Sequence, residues 1–253
     1  SSPENSISGL GNVAIGDETL NANTAGNYNI GIGFNTLSNS TGNEQVAIGG
    51  YALNENTTGS QNNAVGYQAL KSTTSGHQNN AVGYGSLKSN TVGTGNTALG
   101  QTTLYNNISG SENVAVGNNA LYFNTTGYTN TAVGAQSLKE NTTGNGNTAI
   151  GYLSLEKNTV GNENTALGQN NLSQNTTGGQ NTSIGSGSLS KNTIGSGNVA
   201  VGVNSMFKNI DGAQNIAIGY QSLFENINGS SNAALGENAL ENNLGSTNTA
   251  VGH

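Results

Sequence analysis

A pair of glycines seven residues apart recurs along this chain with a period of 17. The opening glycines are Gly9, Gly26, Gly42, Gly59, Gly76, Gly93, Gly110, Gly127, Gly144, Gly161, Gly178, Gly195, Gly212, Gly229 and Gly245. A second glycine follows each, from Gly16 to Gly252, and the spacing shortens to 16 in the units opened by Gly26 and Gly229. Fourteen full units and a partial fifteenth cover residues 9–253, leaving 1–8 as a lead-in or cap. Numbered from its first glycine, the unit reads G-x-x-N-x-A-[VIL]-G-x-x-[AST]-L-x-x-N-T-T. Position 4 departs from asparagine only at Gln45, position 6 from alanine only at Gly31 and Ser183, and position 12 from leucine only at Met206.

A period this short excludes most repeat architectures. Helical repeats need about 33–47 residues, propeller blades about 40 and leucine-rich repeats at least about 20. The glycines exclude a coiled coil, since each costs about 1 kcal/mol in a helix. One coil of an all-β, parallel β-solenoid fits. The reading is a strand over positions 4–7, a turn at the glycine of position 8, a second short strand over positions 10–13, and a return corner at N-T-T-G. Asparagine and glycine tolerate the backbone such a corner needs. A single coil cannot bury its own apolar residues, but stacked coils can. At a strand spacing of about 4.8 Å, 14–15 coils span about 70 Å.

Composition fits this reading. The 253 residues are 32% hydrophobic and 8% charged, with 39 glycines, one proline and no cysteine. So polar a chain would be read as disordered, but its apolar residues keep strict register. Net charge is -7 and all six basic residues are lysines, which argues against nucleic acid. No apolar run approaches the 20 or so residues of a membrane span, so this segment is not expected to insert in one. The opening "SSPENSISGL" lacks the features of a signal peptide.

The charges set the register. Most fall at position 3 (Glu44, Glu112, Glu163), position 13 (Lys71, Lys88, Lys139, Glu156, Glu241) and position 14 (Glu55, Glu140, Lys157, Lys191, Lys208, Glu225), and none at 4–8 or 11–12. Stacking would pair Glu140 with Lys157 and Lys208 with Glu225. The asparagines of position 4, namely Asn62, Asn79, Asn96, Asn113, Asn130, Asn147 and Asn164, are expected to form a ladder of amides, each bonded to the next coil. Those of position 15, such as Asn56, Asn90, Asn124, Asn141 and Asn158, form either a second ladder or turns facing water.

Strand residues alternate sides, which leaves two orientations open. If position 7 points inward, the outer face carries the small-residue row Ala64, Ala81, Ala98, Ala115, Ala132, Ala149 and Ala166. If it points outward, the face carries Val65, Val82, Leu99, Val116 and Val133. Both predict lateral association, which a parallel homotrimer closed by cyclic symmetry satisfies at every coil. The alternative is a monomer with the alanines packed inside a flattened coil.

The segments "NVAIG" (12–16), "QVAIG" (45–49), "NVAVG" (113–117), "NTAIG" (147–151) and "NIAIG" (215–219) resemble the S/N-x-A-[IV]-G repeats of YadA-like heads in trimeric autotransporter adhesins. They are also similar to the N-T-A-V-G-x-x-A-L repeats of phage and virus tail fibres. The resemblance covers residues 9–253. It implies a left-handed β-roll, three chains side by side, and a stiff extracellular segment of a cell-surface or virion fibre. The units here are longer than in those heads, the extra residues falling in the N-T-T corner.

Nothing suggests an enzyme, a metal site or a cofactor. His77 and His253 lie far apart, as do Asp17 and Asp211, and no calcium-binding aspartate recurs. Tyr67, Tyr84, Tyr152 and Tyr220 share position 9 and are candidate contacts for a glycan or protein receptor, or else shield the corner. The threonines of position 16, including Thr57, Thr74, Thr91 and Thr125, form a row that suits ice binding, broken at Ile108, Ile210 and Ile227. The expected function is thus a structural and adhesive fibre segment. The alternatives are an ice-binding solenoid and a spacer with no ligand.

Overall fold

One residue triplet in every coil is extended. In a computed structural model that describes residues 9–253, positions 5–7 form the strands. The chain divides into two units, with the boundary in the sequence between Tyr128 and Thr129. The first contains β1 (Val13–Ile15), β2 (Ile30–Ile32), β3 (Val46–Ile48), β4 (Asn63–Val65), β5 (Asn80–Val82), β6 (Thr97–Leu99) and β7 (Val114–Val116). The second contains β8 (Thr131–Val133), β9 (Thr148–Ile150), β10 (Thr165–Leu167), β11 (Thr182–Ile184), β12 (Val199–Val201), β13 (Ile216–Ile218), β14 (Ala233–Leu235) and β15 (Thr249–Val251). Within each unit, consecutive strands pair in parallel and in exact repeat register, as in Ala64↔Ala81 and Thr165↔Thr182. Each unit is therefore a parallel β-solenoid, with no helix among the described residues. The cap expected at 1–8 lies outside the described residues.

The second strand expected over positions 10–13 does not form. In every full coil the residues at positions 10 and 12 have positive φ, as at Gln68 (58°) and Leu70 (50°). A left-handed non-glycine residue costs about 1 kcal/mol or more, and two of them turn the chain too tightly for a strand. The gain is in burial. A strand would place positions 11 and 12 on opposite sides, whereas here both point inward and Ala69 and Leu70 are completely buried. A buried leucine contributes about 1.5–3 kcal/mol. The backbone is not left unpaired, since Gln68 N donates to Gly50 O and Leu70 N to Ser86 O, each at 3.0 Å.

The interior has an apolar half and an amide half. Positions 6 and 12 fill the first, beside position 11, which is a small residue or, at Asn171, an asparagine. The alanine row is inside: Ala64, Ala81, Ala98, Ala115, Ala132, Ala149 and Ala166 are all at 0% exposure. Of the two orientations, the one with position 7 outward is therefore the one adopted. The amide half holds positions 4 and 15. Asn79 Nδ2 donates to Asn62 Oδ1 at 3.1 Å and to Gly93 O at 2.8 Å, while Asn79 N donates to the same Asn62 oxygen at 3.0 Å. Asn96 and Asn113 repeat the pattern in the first unit, and Asn147 and Asn164 build it on Asn130 in the second. The amides of these position 4 rungs are thus partnered, as burial requires.

Position 15 forms a second buried ladder, which settles the alternative left open there. Asn107 Nδ2 reaches Asn90 Oδ1 at 2.8 Å and Asn124 Nδ2 reaches Asn107 Oδ1 at 2.7 Å. The second unit holds a ladder of the same kind from Asn141 through Asn158 to Asn226. The two ladders meet at the opening glycines: Gly93 O accepts from Asn79 and, at 3.0 Å, from Asn90. No side chain fits there, because a Cβ on Gly76 would lie 2.4 Å from Gly93 O.

Candidate interaction surfaces

What the coil leaves outside decides what it can contact. The outward residues of the strands are positions 5 and 7. Position 7 presents valine, isoleucine or leucine in every coil, among them Val82 (44% exposed), Leu99 (40%) and Ile150 (43%). Position 5 adds Val13, Ile30, Val46, Val114, Val199 and Ile216, with asparagine, threonine or, at Ala233, alanine in the other coils. No charged residue lies on these strands. Their backbone N–H and C=O groups bond between coils, as in Asn63 N to Asn79 O at 2.8 Å, so contacts across this face come from side chains alone. Within each unit these residues form an apolar row along the sheet face, a kind of surface suited to packing against a partner.

The tyrosines of position 9 are all exposed, but they are not equivalent. Tyr67 and Tyr84 stack on each other, centroids 5.7 Å apart and planes at 17°, and Tyr67 also meets the edge of Tyr51, which meets Phe34. The facing sides of that pair are closed to a ligand ring. Tyr152 and Tyr220 stand at the same position between coils that carry Ala135 and Gln169, and Val203 and Glu237, there. Among the described residues neither ring packs against another aromatic ring. The threonine row of position 16 presents few free donors. Thr57 Oγ1 donates to Thr74 O at 2.8 Å and Thr142 Oγ1 to Thr159 O at 3.0 Å.

The charged positions lie outside as expected. Lys208 Nζ meets both Glu225 oxygens at 2.7 and 2.8 Å. Glu140 and Lys157 form no such pair among the described residues. Lys71 and Glu55, at positions 13 and 14 of successive coils, make one instead at 3.6 Å. Among the described residues no three acidic, histidine or cysteine side chains cluster to hold a metal ion. No helix among them is long and apolar enough to cross a membrane.

No known protein-family model matches the chain, and no curated protein matches it. Its functional reading rests on these surfaces.

Proposed function

We propose that the chain is a structural segment of an extracellular fibre, on a cell surface or virion, that associates with two further copies of itself through its strand face. The observation that carries this reading is the exposed, charge-free row of valine, isoleucine and leucine at position 7. A row repeated at every coil favours a partner with the same repeat. A second copy in parallel register supplies one, and rotational symmetry limits the number of chains. The resemblance to YadA-like heads and tail fibres favours three chains and the left-handed β-roll. Adhesion is the second part of the proposal, with Tyr152 and Tyr220 the residues placed to stack on a receptor glycan.

Sedimentation equilibrium tests the assembly. The expected mass is three times the 25.4 kDa of one chain. Val82→Lys with Leu99→Lys should reduce it to a single chain while the circular dichroism spectrum stays unchanged, because both side chains are outside the core. A wild-type monomer at tens of micromolar would overturn the proposal.

A further inference from the structure

Position 16 departs from its usual threonine in a patterned way. Ile108, Ile210 and Ile227 each lie three residues after an aromatic at position 13, namely Tyr105, Phe207 and Phe224. In the second unit two such coils are consecutive, and the pairs join. Phe207 and Phe224 stack with centroids 5.4 Å apart and planes at 7°. Ile210 and Ile227 remain 44% and 38% exposed beside them. Phe207, Ile210 and Ile227 line an open groove of about 440 Å³ together with Gln174, Lys191, Thr193 and Lys208. That volume lies in the usual range of small-molecule sites, about 300–1,000 Å³.

The two lysines differ. Lys208 is held by the Glu225 carboxylate. Lys191 has its Nζ 5.9 Å from the Phe207 ring centroid and, among the described residues, faces no carboxylate within ion-pair distance. Its stacking neighbours at position 14 are Gln174 and Lys208. In a chain of net charge -7, an uncompensated cation beside an apolar lining is complementary to a negative group on an apolar body. Backbone groups cannot add much, since Ile210 O already accepts from Thr193 N, Ile194 N and Gly195 N.

We infer that this groove binds a small amphiphilic anion: a ring or short aliphatic body on Phe207, Ile210 and Ile227, with a single carboxylate or sulfonate on Lys191. The groove uses none of the strand residues, so the inference stands whether or not the chains assemble as proposed above.

The test is a titration of the full chain with 1-anilinonaphthalene-8-sulfonate, followed by fluorescence. Ile210→Thr with Ile227→Thr removes apolar lining yet restores the residue most coils carry there, so the coil is kept. The expected result is saturable binding that weakens about tenfold or more in that double variant and about fivefold in Lys191→Gln. Val92→Thr, which removes an exposed apolar side chain elsewhere, should leave the affinity unchanged. Octanoate should displace the probe, and octan-1-ol at equal concentration should not. Absence of saturable binding, equal affinity in both groove variants, or equal displacement by the alcohol would each overturn the inference.

Discussion

Replacing Thr73 with asparagine is expected to make the protein more stable, although it adds an amide to a buried site. Thr73 occupies position 15, where the coils on either side carry Asn56 and Asn90. It is completely buried. Its Oγ1 has no hydrogen-bond partner, and neither has Asn56 Oδ1, the atom that would accept from the next rung. The intact ladder shows what is missing. Asn107 Nδ2 donates to Asn90 Oδ1 at 2.8 Å and to Gly110 O at 2.9 Å, and its own oxygen accepts from Asn124 at 2.7 Å. An asparagine at 73 restores the same three bonds, to Asn56, to Gly76 O and from Asn90. Each bond is worth about 0.5–1.5 kcal/mol net, and an unpartnered buried oxygen costs about 1–3 kcal/mol. Set against the loss of a threonine methyl, the expected gain is about 2–4 kcal/mol. The assay is urea denaturation of the full chain followed by circular dichroism, with Asn175→Thr as the converse. That substitution opens the same gap in an intact stretch and should cost a similar amount. If Thr73→Asn shifts stability by less than about 0.5 kcal/mol, or Asn175→Thr loses nothing, the ladders are not a source of stability and the reasoning fails.

Two further expectations test the same packing. Ser40 and Gln45 exchange length between the two ladders: Gln45 Nε2 reaches Ser40 Oγ at 2.8 Å, and Asn56 Nδ2 bonds to both, at 2.9 and 2.8 Å. Gln45→Asn and Ser40→Asn should each cost about 1–2 kcal/mol, while the double variant returns close to wild type, a coupling that a double-mutant cycle would measure. Gly66 has φ of 138°, and a Cβ there would lie 2.4 Å from Gly83 O. Gly66→Ala should therefore cost about 3 kcal/mol or more, read as a lower urea midpoint.

The period, the coil register and the position 4 ladder were legible because each slot repeats one residue type many times. The alanine and valine slots were not distinguishable in this way. Both are apolar, and only the turn at positions 10–13 fixes which one faces Leu70. That turn had a signal in the sequence. Gly85 and Gly187 occupy position 10, and Gly11, Gly95, Gly146 and Gly197 occupy position 3, where the other coils also have positive φ. Glycine recurring among longer residues marks a left-handed slot. Adjacent buried residues at positions 11 and 12 also contradict the alternation of a strand. The stacking of Tyr67 on Tyr84 could not be read, since it depends on side-chain rotamers at an exposed corner. The Glu140–Lys157 pair failed for a similar reason, since long flexible side chains at the surface gain little from meeting.

The bonding of the buried asparagines also bears on how the molecule ages. An asparagine loses its amide when the next backbone nitrogen attacks the side-chain carbonyl and closes a five-membered imide. In the ladder both parties are restrained: Asn62 Oδ1 accepts from Asn79, and Asn63 N is committed to Asn79 O at 2.8 Å. Deamidation should then be confined to exposed sites such as Asn228, which precedes Gly229. A chain built so largely of asparagine holds its rungs where that reaction is blocked.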